Sequence, residues 1–331
     1  MKKLLLLVAA ALLVFAGCAK EEPVYKVGTA SVTTVSGRAA AETPAGRIQA
    51  NVTYATVVMD KDGKFVSVDI DTAQNEGTFD LTGAIVKAEA RPTKKERGAD
   101  YGMKNASQVA KAEWDEQIKV LEDWMVGKTL AEVLAMPLAE NKPSGDDLKT
   151  SVTITVDGYI AAVKKAAEAA VELKGVAKVG SGSVTSVAAR AATADAAGRV
   201  QVNTTYAGVA LDKDGKVLWT FIDVAQNQGT FLTDGTIDKA EAAPTKKEKG
   251  DAYGMKDRSE IGKEWYEQAQ ALEVYFTGKT IAEIKAIPTF ERDATHLHVP
   301  SGDDLKTSVT ITIESYQAAV EAAAGYARDI K

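Results

Sequence analysis

The chain has one cysteine, Cys18, and two histidines, His296 and His298, in 331 residues. A lone cysteine forms no disulfide within a chain and rules out four-cysteine metal sites and iron–sulfur clusters. No Cys-x-x-Cys-His occurs, which excludes multi-haem attachment. The His-x-His pair can ligate a metal, but it sits in a stretch that only one of two internal repeats possesses, and it reads as a solvated loop. There is no Gly-rich nucleotide loop, no Ser/His/Asp set and no pair of catalytic carboxylates with supporting context, so the sequence offers no recognisable catalytic set of its own. Positive charge is also scarce: 40 Lys and Arg face 46 Asp and Glu, for a formal net charge of −6. That balance argues against nucleic acid as a partner and against binding anionic lipid by charge alone. The one long apolar run, Leu4 to Phe15, is shorter than the roughly 20 residues a spanning helix needs.

What the N-terminus does have is a basic start at Lys2 and Lys3, that apolar run, and Ala16-Gly17-Cys18 at its end. This is the layout of a secretion leader. Its ending resembles a lipobox, with Phe15 where Leu is more usual. The resemblance implies that residues 1–17 are a lipoprotein signal peptide and that Cys18 is lipidated. Residues 18–25 are then a tether, with the protein at the cell membrane and facing outside the cytoplasm.

The remainder is an internal repeat. Asp60-Lys-Asp-Gly-Lys64 returns as Asp212 to Lys216 and Pro92-Thr-Lys-Lys-Glu96 as Pro244 to Glu248, both offset by 152. Tyr101-Gly-Met-Lys104 returns as Tyr253 to Lys256, and Glu113-Trp114 as Glu264-Trp265. Repeats of roughly 150 residues are domain-sized, far longer than solenoid units. The expected organisation is two tandem homologous domains, 26–175 and 176–331. Gly180-Ser-Gly-Ser183 aligns with Gly28 to Ser31 and so belongs to the second domain rather than to a linker.

Within a repeat the pattern is mixed. Apolar runs flank Asp60-Lys-Asp-Gly63, which predicts a β-hairpin, and the spacing lacks the remaining EF-hand ligands. Val109, Ile118, Leu121 and Met125 recur at helical spacing, predicting a helix from Ser107, as its cap, to Val126. Thr129-Leu-Ala-Glu132 and Thr280-Ile-Ala-Glu283 are capping boxes ahead of Pro137 and Pro288. Gly158 to Leu173 carries an Ala/Val face and reads as a further helix. The fold class expected is α+β, with an antiparallel sheet and several helices per domain.

One element has not drifted. Pro143 to Thr155 and Pro300 to Thr312 are the same thirteen residues, each closing its repeat. Ser144-Gly-Asp-Asp147 is turn material. After it, Val152, Ile154 and Val156 alternate with Ser151, Thr153 and Thr155, which predicts a strand with the Thr153 hydroxyl outward. Thr310 is expected to do the same. Asp147-x-x-Thr150-Ser151-Val152-Thr153 and Asp304-x-x-Thr307-Ser308-Val309-Thr310 resemble the flavinylation motif Asp-x-x-(Ser/Thr)-Gly-Ala-Thr, with Ser and Val in place of Gly and Ala. Together with the lipobox, Pro-Thr-Lys-Lys-Glu and Tyr-Gly-Met-Lys, the chain resembles bacterial FMN-carrying lipoproteins of extracellular electron transfer, a pheromone-lipoprotein-like group.

The resemblance implies two FMN groups, joined by phosphoester to Thr153 and Thr310 by an ApbE-type flavin transferase that uses FAD as donor. It implies electrons arriving from a membrane quinol pool or reductase and leaving to extracellular acceptors. Lys149 or Lys306 would partly offset the phosphodiester charge. Lys94, Lys95, Tyr101 and Lys104, with Lys246, Lys247, Tyr253 and Lys256, either lie against the flavin or form a solvated loop. Trp114 and Trp265 are expected to pack. Trp124 and Trp219 have no partner in the other repeat and are expected to lie outside any shared site. Two other readings stand beside this one: a two-domain solute- or envelope-binding lipoprotein without cofactor, and a signalling role for the cleaved leader peptide.

Overall fold

A computed structural model describes residues 22–107 and 109–330. The leader and Cys18 lie outside the described residues. The first half contributes β1 (Val24–Arg38), β2 (Gly46–Met59), β3 (Phe65–Phe79) and β4 (Ile85–Ala88). Next come helices α1 (Lys94–Arg97), α2 (Met103–Ala106), α3 (Trp114–Met125) and α4 (Leu130–Leu134). A small hairpin, β5 (Leu138–Ala139) and β6 (Lys142–Pro143), leads to α5 (Asp157–Glu168) and β7 (Val171–Lys174). The second half follows the same order with β8 (Lys178–Arg190), β9 (Gly198–Leu211), β10 (Val217–Phe231) and β11 (Ile237–Ala240). Its helices are α6 (Lys246–Lys249), α7 (Trp265–Phe276) and α8 (Ile281–Lys285). The hairpin β12 (Thr289–Phe290) and β13 (Val299–Pro300), α9 (Glu314–Gly325) and β14 (Arg328–Asp329) complete it.

Each half builds a five-stranded antiparallel sheet, ordered β4-β3-β2-β1-β7 and β11-β10-β9-β8-β14. The expected hairpin is the β2–β3 connection. Asp60 Oδ1 accepts from the amides of Asp62 and Lys64 at 2.9 Å, and Gly63 takes φ 75°, the left-handed value that a tight turn asks of glycine. Gly180 to Ser183 lie inside β8, where a side chain at Gly180 would run into the backbone of α9 (2.4 Å to the Ala323 carbonyl).

The sheets do not stand apart as beads on a string. Their inner faces pack on each other through Ile48, Ala50, Phe79, Val200, Val202 and Phe231, with the Phe79 and Phe231 rings stacked at 3.7 Å. The long helices cover the outer faces, α3 and α5 on the first sheet and α7 and α9 on the second, giving four layers. A strand covered on both faces loses the polar alternation of a half-exposed one, which is why β2 is buried along nearly its whole length.

Two expectations are corrected here. The helix expected from Ser107 starts at Trp114, because Glu113 and Glu116 form a capping box there; Ser107 instead accepts from the Val109 and Ala110 amides in a turn. Val109 is therefore exposed and outside the core. The last helix stops at Glu168, and Val171 to Lys174 leave it to pair with β1 at the sheet edge. Among the described residues no helix is long and apolar enough to cross a membrane.

Candidate functional site

The expected strand after Ser144-Gly-Asp-Asp147 does not form. Lys149 and Val152 donate their amides to the Gly145 and Leu148 carbonyls, so the chain coils through tight turns, and Val156 is tied to the Asn141 carbonyl before α5 begins. Strand pairing needs a free edge, and this segment lies against α3 instead. Leu148, Val152 and Val156 still bury themselves, so the alternation served packing rather than a ladder. Asp147, Thr150 and Ser151 sit exposed on the turn, as do Asp304 and Thr307; Ser308 is half-buried and Val309 is in the core.

The threonines are not displayed outward. Thr153 donates its amide (2.8 Å) and its hydroxyl (3.2 Å) to Gln117 Oε1 on α3. Thr310 makes the same pair with Gln268 on α7, at 2.8 and 3.3 Å, and is only 8% exposed. Gln117 Nε2 donates to the Ala112 carbonyl at 2.9 Å, and Gln268 Nε2 to the Lys263 carbonyl and Ser259 Oγ. Each glutamine is buried and has its amide oxygen committed to one threonine. Arg292, from the stretch that the first half lacks, also donates to the Thr310 carbonyl at 2.9 Å. Sequence reasoning missed both glutamines. The available signal was their alignment, each three residues past the paired Trp114 and Trp265.

Those tryptophans link the threonine element to a cationic, aromatic corner. Trp114 Nε1 donates to Tyr159 Oη at 2.8 Å and Trp265 Nε1 to Tyr316 Oη at 2.9 Å. The Lys94 ammonium lies 5.0 Å from the Tyr101 ring centroid and 5.2 Å from that of Trp114; Lys246 repeats this over Tyr253 and Trp265 at 5.0 and 5.1 Å. Burial pushes both amines down to about 8, and among the described residues neither has a carboxylate within ion-pair distance. Beside Lys246, and at the equivalent strand positions of the first half, the outer sheet face mixes polar and apolar residues. Val32, Thr53 and Thr72 form one row across the strands, and Thr34, Asn51 and Gln74 the next. The second half has Val184, Thr205 and Val224, then Ser186, Asn203 and Gln226, around a depression of about 240 Å³ that Lys246 and Tyr316 also line. Tyr101 Oη donates to Gln74 at 3.0 Å.

The other basic residues have separate roles. Lys95 bridges Asp69 (2.5 Å) and Glu122 (2.7 Å), and Asp69 also takes the Ser181 hydroxyl of the other half. Burial works against the Lys95 charge, but the two carboxylates outweigh it and hold its pKa above the usual range. Lys247 pairs with Glu273, and Phe221 occupies the position of Asp69. Lys104 pairs with Glu116 on the surface, while Lys149 and Lys306 pair with Asp146 and Asp303. Trp124 is not outside the element: its indole donates to Asp147, and Tyr275, at the equivalent place on α7, lines a depression with Asp304 and Ser308. Trp219 packs beside Phe221, away from the threonines. His296 is an exposed partner of Asp293 at 2.8 Å. Among the described residues no group of His, Cys, Asp and Glu is placed to hold a metal ion.

No family model matches the chain, and no solved structure matches it. A curated relative named chlorophenol reductase, from Desulfitobacterium hafniense, is 61% identical over 41 residues. That stretch spans 12% of this chain and 12% of the relative.

Proposed function

We propose that this protein is a membrane-anchored, extracytoplasmic carrier of two covalent FMN groups, lipidated at Cys18 and flavinylated at Thr153 and Thr310. It takes electrons from a membrane quinol pool or reductase and passes them to extracellular acceptors. One observation carries this reading. The two identical Asp-x-x-Thr-x-x-Thr elements each present the first Asp and Thr to solvent and hold the last Thr by amide and hydroxyl on a buried glutamine. A recognition surface is thus exposed, while each acceptor hydroxyl rests on a buried glutamine until the loop opens.

Bound FMN supplies the redox chemistry, accepting and donating electrons one or two at a time. The chain supplies acceptor and surroundings. Threonine is a weak nucleophile, so the base, the metal and the activated pyrophosphate of FAD belong to the transferase. Thr153 Oγ replaces adenylate on the FMN phosphorus, AMP leaves, and the hydroxyl proton passes to the transferase. For this the hydroxyl must leave Gln117, or Gln268 in the second half, so a local opening of the loop before α5 or α9 accompanies attachment. The residues are compatible with such a group: the helix whose glutamine holds each threonine also carries, three residues earlier, the tryptophan against which a desolvated lysine lies, and among the described residues that lysine has no carboxylate within ion-pair distance.

The binding-lipoprotein reading has one feature in its favour, a depression of about 430 Å³ where the halves meet, lined by Ser31, Tyr206, Phe221 and Asp223. It predicts a colourless protein. Intact mass after export with a flavin transferase separates the two. Two FMN adducts, reduced to one by Thr153→Ala or Thr310→Ala, support the carrier; no adduct with a transferase proven on another substrate refutes it.

A further inference from the structure

Several polar positions around the two lysines are the same in both halves. Thr53 and Thr205, Asn51 and Asn203, Gln74 and Gln226, Lys94 and Lys246, Tyr159 and Tyr316 are identical pairs at equivalent positions. Some of these have structural partners, Thr53 with Thr72 and Tyr159 and Tyr316 with the tryptophans, whereas Asn203 and Gln226 line a depression. In the second half Ser186, Asn203 and Gln226 line the open depression that Lys246 also lines, while Thr53, Thr72 and Thr205 are buried.

The lysine is the unusual member. Lys95 and Lys247, next in sequence, have carboxylates in ion-pair contact; among the described residues Lys94 and Lys246 touch aromatic faces, with Asp71 and Asp223 acting on them from beyond ion-pair distance. A desolvated ammonium without a paired carboxylate favours added negative charge. Its place relative to the threonine is fixed by α7. Gln268 holds Thr310 and Trp265, three residues earlier, carries Lys246, a separation of about 4.5 Å along a helix axis. In the first half Gln117 and Trp114 relate Thr153 to Lys94 in the same way.

Building on the covalent-FMN reading, we infer that the sheet face beside each of the two lysines docks the flavin ring, and that Lys94 and Lys246 raise its reduction potential by facing the negative charge the ring gains on reduction. Asn203 Nδ2 and the Gln226 amide offer donors and an acceptor to the polar edge of a pyrimidine-type ring; in the first half Gln74 Nε2 offers a donor, while the Asn51 amide is engaged by Gln49 and Thr34 and Gln74 Oε1 by Tyr101. Two electrons and one proton taken up by a neutral ring leave one negative charge, which a fixed cation in a site of low polarity favours.

The test uses the exported, flavinylated lipoprotein in a Thr153→Ala background, so that only the Thr310 site is filled. Mass is read first, then the midpoint potential by spectroelectrochemistry for Lys246→Gln, Lys246→Arg and the exposed control Lys213→Gln. Lys246→Gln is expected to weaken the preference for reduced over oxidised flavin about tenfold, a fall of ~30 mV for a two-electron couple. Lys246→Arg should keep the potential and Lys213→Gln leave it unmoved. Asn203→Ala, which keeps the lysine, should alter the visible circular dichroism of the flavin. One FMN by mass with no shift in Lys246→Gln beyond that of Lys213→Gln overturns the lysine's role. Unchanged dichroism in Asn203→Ala overturns the docking face. Absence of FMN overturns the carrier reading itself, and the ring site with it.

Discussion

Removing the glutamine that grips the second threonine isolates the central local feature of the site. Gln268 is fully buried; its Oε1 accepts from the Thr310 amide at 2.8 Å and hydroxyl at 3.3 Å, and its Nε2 donates to the Lys263 carbonyl and Ser259 Oγ. Gln268→Leu keeps the volume but leaves the Thr310 amide without a partner. An unsatisfied buried donor costs about 1–3 kcal/mol. The Thr310 hydroxyl can rotate and Ser259 is half-exposed, so they add little, and a total near 2 kcal/mol is expected. Gln268→Glu keeps an acceptor for Thr310 and loses the donor, so it should restore most of the Thr310 amide's protection. The assay is urea unfolding with a shared m-value, combined with hydrogen exchange at the Thr310 amide. A loss below about 0.5 kcal/mol, with that amide still protected in Gln268→Leu, would refute the view that the glutamine holds the threonine in place.

Phe79→Ala should cost about 3–5 kcal/mol, because the ring is fully buried against Phe231. The double-mutant cycle with Phe231→Ala should show about 0.5–1.5 kcal/mol of coupling across the sheets; zero coupling counts against the shared core. Lys95→Met should cost about 3–5 kcal/mol by taking from Asp69 and Glu122 the cation they share, with the exposed Arg328, 3.4 Å from Glu122, compensating only in part, whereas Lys104→Met, on the surface, should change the urea midpoint little. Stability should carry a component from Lys94 that rises with pH between about 8 and the ordinary lysine value. Within that window the folded amine has lost its proton and the unfolded one has not, so unfolding takes up a proton and is opposed as pH increases. Asp71 and Arg97 act on the same amine, so the slope should be compared between wild type and Lys94→Gln, where it should be smaller; equal slopes reject the desolvated amine. Because the sheets bury each other's inner faces, urea should unfold both halves in a single transition by fluorescence and circular dichroism, and two separated transitions would refute that.

How much of this was legible depended on the range of the interactions involved. Local chemistry was readable: the hairpin at Asp60 to Gly63 follows from turn residues, and the capping boxes at Thr129 and Thr280 from side chains reaching three residues along the chain. Ser107 misled because an alternative cap, Glu113 with Glu116, lay within reach, and the preceding residues turn instead. The segment at Val152 to Val156 misled for a different reason. Alternating burial is necessary for a strand but also requires a partner edge, which no local pattern reveals.

The sequence by itself determined the repeat, the mixed α and antiparallel β composition and the two threonine elements, because each rests on identity or on spacing along one stretch of chain. Only the tertiary structure decided that the sheets pack face to face, that Gln117 and Gln268 capture the threonines, and that Lys94 and Lys246 lack the carboxylates their neighbours have. The physical reason is common to all three. Each depends on which groups meet across 26 or more residues of separation, and desolvation and partner choice are settled only when those surfaces close.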